Sequence, residues 1–240
     1  MWIFHIVFYQ PLYNLLLFIY GIIPIRDFGI AVILITIVVK LVLYPFSQQS
    51  IKAQRSMLEL QPKINSLKDR FKDDKQAQAK ALMELYKEHK VNPFSSCLPL
   101  LVQLPFLIAL YRVFLTGLNN TGVADLYPFI HNPGVISGLS FGILDLAHPS
   151  YVLAILAGIA QFLQAKQLQV KQPAVATSGS KDESMMASMN KQMLYLMPVM
   201  TAFIGSRLPG GLALYWLVTT LLTYGQQWLM LRKLKPLEKV

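Results

Sequence analysis

Lys40 is the one charged residue in an otherwise apolar run from Phe28 to Phe46. A charge about twelve residues into such a run costs about 2.5 to 3.5 kcal/mol on insertion scales, so a residue of this kind usually has a job. It can attract an acidic ligand or couple to a proton. Lying about six residues from the end of its run, it can also simply snorkel to the nearer surface. Thr36 stands one turn away on the same helical face. Gln103, Gln161, Gln164, Thr219, Thr220, Thr223, Gln226 and Gln227 place further polar groups in other apolar runs. Singly, each can act as glue between helices. Together they favour a wet cavity biased toward one side of the membrane.

Other reactive residue types offer less. Gly138-Leu139-Ser140-Phe141-Gly142 matches the nucleophile-elbow pattern, and His131, His148, Asp125 and Asp145 share its loop. That motif has meaning only on a sharp strand-to-helix turn, and no strand pattern is expected before Ser140, so hydrolase chemistry is not expected. Cys97 is the single cysteine, which excludes a disulfide framework, and the sequence has no Cys/His metal spacing. Neither a cofactor nor a metal is expected. Met185, Met186, Met189, Met193, Met197 and Met200 recur at steps of about four. Methionine is flexible and polarizable, so Met193, Met197 and Met200 could grip varied apolar partners or merely fill gaps between helices.

The elements that must hold these residues follow from composition. Apolar residues make up 54% of the chain and charged ones 14%, against roughly 25% charged in an ordinary soluble domain. The apolar residues come in runs, and about 20 of them cross a hydrocarbon core of roughly 30 Å. Helices are required because lipid offers backbone groups no water. The expected fold is an all-α membrane protein with five transmembrane helices, at 28–46, 94–116, 151–168, 192–206 and 212–231. The turn at 207–211, Arg207-Leu208-Pro209-Gly210-Gly211, should make the last two spans a tight hairpin. Residues 1–27 are expected as an interfacial helix with Trp2, Tyr9, Tyr13 and Tyr20 at headgroup level, with a sixth span as the alternative.

Between the first two spans, residues 47–93 read as a helical hairpin. Met57, Leu60, Ile64, Leu67 and Phe71 form one stripe, Pro62 should kink the first helix, and Asp73 or Asp74 can cap the second. This hairpin carries ten Lys or Arg, whereas the 117–150 loop carries none. The 169–191 loop, rich in small polar residues, and the basic 232–240 tail belong to the positive side. The positive-inside rule makes the hairpin, that loop and the C-terminus cytoplasmic and the N-terminus external. The net charge of +10 therefore reads mostly as topology and not as recognition of a specific nucleic-acid sequence.

Five stretches resemble the YidC-type membrane insertases and their organelle relatives. They are QPLYNLL (Gln10 to Leu16), IVVKLVLYPF (Ile37 to Phe46), LQPKI (Leu60 to Ile64), KVNPFSSCLPLLVQLPFLIALY (Lys90 to Tyr111) and LPGGLALYWLVTTLLTYGQQ (Leu208 to Gln227). The resemblance implies a five-helix insertase core without the large extracytoplasmic domain of some relatives. It also implies a hydrophilic groove open to the cytoplasm and to lipid, with a basic residue falling on Lys40, a glutamine on Gln103 and an aromatic on Trp216. Thr36, Thr219 and Gln226 complete the expected groove. Lysine at position 40 departs from the usual arginine, and the short tail departs from relatives with long basic ones.

A non-enzymatic insertase of the cell membrane would take nascent membrane proteins as clients and the lipid bilayer as their destination. The Sec translocon, the targeting machinery and the ribosome are candidate partners through the hairpin and tail. A secondary transporter or channel using Lys40 as coupling group is the rival from another class, and an assembly factor without insertase activity is a milder one.

Overall fold

The structure, a computed structural model, describes residues 2–92, 98–119, 122–167 and 192–233. Cys97, the start of the 94–116 span, Met185, Met186, Met189 and the end of the tail lie outside the described residues, as do the side chains of Leu58 and Met193.

Helix α1 runs Trp2–Ile22, with a π-helical stretch at His5–Tyr9. Helix α2, Phe28–Val42, starts at Asp27, whose Oδ1 accepts from the Ile30 N–H at 3.0 Å. This is the N-cap arrangement that satisfies an otherwise orphan donor. Helix α2 ends at Val42, four residues before the end of the expected 28–46 segment. Leu43 breaks the helix, and Tyr44, Pro45 and Phe46 open helix α3, Tyr44–Arg70, which is bent 67° from α2. Pro45 has no N–H to continue the α2 ladder, yet it fits the first turn of a new helix.

Helix α3 and helix α4, Lys75–Glu88, form the expected hairpin. Leu60 and Ile64 of the predicted stripe are buried, and Pro62 lies within α3. Asp74 is the cap: its Oδ1 accepts from the N–H groups of Gln76 at 3.0 Å and Ala77 at 2.9 Å. Gln78 Nε2 donates to the Lys68 carbonyl at 3.2 Å, tying the helices together.

Helix α5, Leu98–Asn119, leads into a 3₁₀ turn at Val123–Asp125. The loop beyond it contains strands β1, Leu139–Ser140, and β2, Leu144–Asp145, paired antiparallel with Leu139 opposite Asp145 and Ser140 opposite Leu144. The absence of a strand before Ser140 is thus corrected by one of two residues. This hairpin packs on the start of α2, where buried Ser140 Oγ accepts from the Gly29 N–H at 2.8 Å.

Helix α6 is Tyr151–Gln167. A π-helical stretch, Gln192–Leu196, precedes α7, Met197–Gly205, and α8 is Gly210–Lys233. Two expectations are corrected here. Gly210 and Gly211 belong to the first turn of α8, not to a free turn, because their N–H groups are taken by the loop carbonyls of His148 and Leu146, both at 2.9 Å. A side chain at Gly210 would stand 3.0 Å from the carbonyl oxygens of Asp145 and His148. Nor do α7 and α8 pair as a tight hairpin, since each packs chiefly on α6.

The core joins α1, α2, α5 and α8 through Tyr13, Leu16, Phe28, Ile35, Leu110, Phe114, Leu212 and Tyr215. Phe28 and Phe114 meet edge to face at 5.7 Å, the arrangement that ring quadrupoles favour. Among the described residues, Trp2–Ile22 and Leu101–Asn119 are each long and apolar enough to cross a membrane, and α2 with α3 qualifies as a bent pair.

Candidate functional site

Where α2 bends into α3, a cavity of about 600 Å³ opens against the C-terminal half of α8. Its lining includes Lys40, Tyr44, Gln48 and Lys52 from α2 and α3, and Leu221, Leu222, Gly225, Gln226, Leu229 and Met230 from α8. The bend carries one stripe, spaced by four residues, around the corner.

Lys40 Nζ donates to Thr223 Oγ1 at 2.8 Å, and Thr223 Oγ1 donates in turn to the Thr219 carbonyl at 2.7 Å. An ammonium has three donors, and Lys40 forms no ion pair among the described residues. The half-buried Lys40 is therefore fixed by one neutral acceptor and keeps donor capacity for a ligand. Gln226 adds a buried Nε2 without a partner among the described residues. On the other wall, Gln48 Nε2 donates to Tyr44 Oη at 2.7 Å. A cation and amides among apolar walls can receive acidic or polar side chains that are leaving water, since a buried polar group needs a replacement partner.

The remaining predicted residues divide. Thr36 is fully buried and its hydroxyl donates to the Val32 carbonyl at 2.5 Å, within its own helix and away from the cavity. Gln103 Nε2 donates to the hydroxyl of buried Tyr215, joining α5 to α8, and neither residue lines the cavity. Trp216 is half-buried, and its carbonyl accepts from Thr220 Oγ1 at 2.8 Å. Thr219 contributes its carbonyl to the Lys40 chain. Met197 and Met200 are exposed on α7, apart from the cavity.

Sequence reasoning missed Tyr44, Gln48 and Lys52. Their signal was the i, i+4, i+8, i+12 spacing from Lys40, hidden by treating span and hairpin as separate elements. The Ser140 pattern is structural: its Oγ is buried against Gly29. His148 Nδ1 and Asp145 Oδ2 meet at 2.7 Å on the surface, and this hydrogen bond, with another from the Ala147 N–H, holds the Asp145 carboxyl below the usual carboxylate range.

Comparison with known proteins places this geometry. Residues 18–238 match the family described as 60Kd inner membrane protein. The chain is 36% identical over 213 residues to the membrane protein insertase YidC of Francisella tularensis subsp. novicida strain U112, covering 89% of this chain and 34% of that protein. The corresponding protein of F. tularensis subsp. tularensis strain SCHU S4 matches at the same identity and coverage. The chain thus spans about a third of the length of these curated relatives. A crystal structure of an active YidC insertase with its first transmembrane domain resolved superposes with a TM-score of 0.62 at 26% identity, over 91% of this chain and 46% of that one. The match runs through α2, the hairpin and α8, the elements that build the Lys40 cavity, and it makes this chain a multi-pass inner-membrane member of the 60Kd inner membrane protein family, to which the YidC insertases belong.

Proposed function

We propose that this chain is a membrane protein insertase that moves apolar segments of client proteins from the cytoplasm into the bilayer without covalent chemistry. The observation that carries the reading is the Lys40 ammonium, held by Thr223 at the cavity where α2 turns into the basic hairpin. By the positive-inside rule the hairpin and C-terminus are cytoplasmic, the N-terminus is external, and the cavity faces the cytoplasmic half of the membrane.

A client's hydrophilic flank enters beside Lys52 and Gln48 and reaches Lys40, which attracts its acidic residues. Gln226 and the spare donors of Lys40 replace part of the lost water shell. The adjoining apolar segment slides into lipid along the exposed faces of α6 and α8, driven by roughly 25 cal/mol per Å² of apolar surface buried. Gln103 and Trp216 are proposed to act through α8, which carries one wall of the cavity, and Met197 and Met200, exposed on α7, offer apolar contacts to the client; Met193 is assigned the same role from its spacing in the sequence. Nascent membrane proteins are the partners this requires, with the Sec translocon, targeting machinery and ribosome reached through the hairpin and tail.

Lysine keeps the positive charge of the family's usual arginine but lacks its planar fork. Lys40→Arg therefore retains insertion of clients with acidic translocated tails, and Lys40→Glu abolishes it. The test is protease protection of a small client in liposomes containing only this chain and lipid; equal activity of the two variants would sink the charge-attraction role.

A further inference from the structure

Arg112 lies inside the apolar stretch Leu101–Asn119 of α5, seven residues, or about 10 Å at helical rise, from its end. It belongs to neither the Lys40 cavity nor any ion pair among the described residues. A guanidinium at such depth is costly and marks a functional site by default. Its carbon stands 5.5 Å from the Phe4 ring centroid, a contact that engages the ring face and leaves the N–H fork to other partners.

A second cavity, of about 320 Å³, is lined by His5, Tyr9, Arg112, Leu115, Thr116 and Asp125. Its anionic pole is firmly placed. His5 Nε2 meets Asp125 Oδ1 at 3.0 Å, and the Asp125 carbonyl accepts from Gln10 Nε2 at 3.2 Å and Asn14 Nδ2 at 2.9 Å. A carboxylate offers about four lone-pair sites, so the contacts with His5 and with the Tyr9 hydroxyl leave acceptor capacity. The cavity thus presents a cation and an anion, with the hydroxyls of Tyr9 and Thr116 also on its lining. Ile108 and Leu115, on the same face of α5 about one turn to either side of Arg112, are exposed and apolar.

We propose that this cavity binds the headgroup of a zwitterionic phospholipid bearing a primary amine, Arg112 taking the phosphate and Asp125 the ammonium. The guanidinium fork matches two phosphate oxygens, and a primary ammonium donates to the carboxylate where a quaternary one has no N–H to give. An anionic headgroup without an amine brings no donor to the Asp125 carboxylate, whose negative charge then repels it. The acyl chains run from Arg112 along exposed Ile108, on the side away from the loop that carries Asp125, which selects a lipid over a soluble phosphate ester.

The test uses the purified full chain in detergent, with native mass spectrometry counting retained dioleoyl-phosphatidylethanolamine, -phosphatidylcholine or -phosphatidylglycerol. Phosphatidylethanolamine is retained at least about tenfold more tightly than the other two. Arg112→Gln removes this retention. The isosteric Asp125→Asn, which tests the site even if the arginine variant fails to fold, levels ethanolamine with choline headgroups and raises retention of phosphatidylglycerol. Equal retention of the three lipids by the unaltered protein, or unchanged retention in Arg112→Gln, overturns the assignment. So does displacement of every lipid alike by inorganic phosphate, which would mark a site for free anions.

Discussion

Thr223 is the residue on which the position of Lys40 depends, because it supplies the acceptor for the ammonium. Thr223→Val keeps the shape and removes that acceptor. A hydrogen bond to a charged group is worth about 1.5 to 3 kcal/mol when its loss is uncompensated, and less where water can replace it. Insertion of acid-flanked clients should fall about fivefold, near 1 kcal/mol, while Thr223→Ser retains it; initial rates in liposomes decide. Asp27 acts on the fold instead. Its Oδ1 caps α2 and its Oδ2 accepts from the N–H of Phe141 at 2.6 Å, holding a residue whose φ of 54° is unusual for a side chain of that size. Asp27→Ala should cost about 1 to 2 kcal/mol, read as a lowered unfolding midpoint in detergent. At the surface, the depressed Asp145 carboxyl contributes stability that is present above its unfolded-state pKa and lost as pH falls through the lower, folded one. His148→Ala should move Asp145 upward toward the ordinary carboxylate range in a carboxyl ¹³C NMR titration. Lys40 could be picked out from sequence because a charge in an apolar run is visible. Thr223 could not be singled out among the five Thr and Gln residues of α8, since only the packing of α8 on α2 selects it.

At the scale of elements, helix type followed from runs and periodicity, whereas boundaries depended on contacts made from elsewhere. The Asp74 cap could be read because a cap is local: the carboxylate and the N–H groups it accepts from lie within three residues. The start of α8 could not, because Gly210 and Gly211 look like a turn until the carbonyls of His148 and Leu146, some sixty residues away in sequence, take their N–H groups. The same holds for the pairing of α6 with α7. A side chain at Gly158 would stand 2.9 Å from the Pro198 carbonyl oxygen and 3.0 Å from Ala202 Cβ. Backbone that close cannot yield as a flexible side chain would, so Gly158→Ala should destabilise by about 1 to 3 kcal/mol. Thermal unfolding checks this, and an Ala202→Gly change in the same chain should recover part of the loss by removing one of the two clashes.

Across the whole molecule, the placement of α1 decides whether the N-terminal region lies across the bundle or passes through it. By length and apolar character α1 can span, and its outward stripe of Ile3, Val7, Phe18 and Ile22 is apolar throughout. Its polar contacts favour the other arrangement. His5, Gln10 and Asn14, spread over about 14 Å of helix, all reach Asp125, and Asn14 Oδ1 also accepts from the Tyr127 N–H at 2.7 Å. The far end of α1 leads to Asp27, which is bonded to Phe141 of the same 122–150 loop region. The polar ties of α1 thus gather at the loop end of the bundle, while Phe8 packs edge to face at 5.3 Å on Phe106, thirteen residues before the end of α5, so depth along the membrane normal separates the two arrangements. Single cysteines at Ile3, Val7, Phe18 and Ile22, in a chain with Cys97→Ser, can carry spin labels whose depth is read from oxygen and nickel accessibility in liposomes. A helix lying in the interface gives four depths within about one helical turn, roughly 5 Å. A spanning helix would instead separate Ile3 from Ile22 by about 28 Å, and a gradient of that size would require α1 to be counted as a further span.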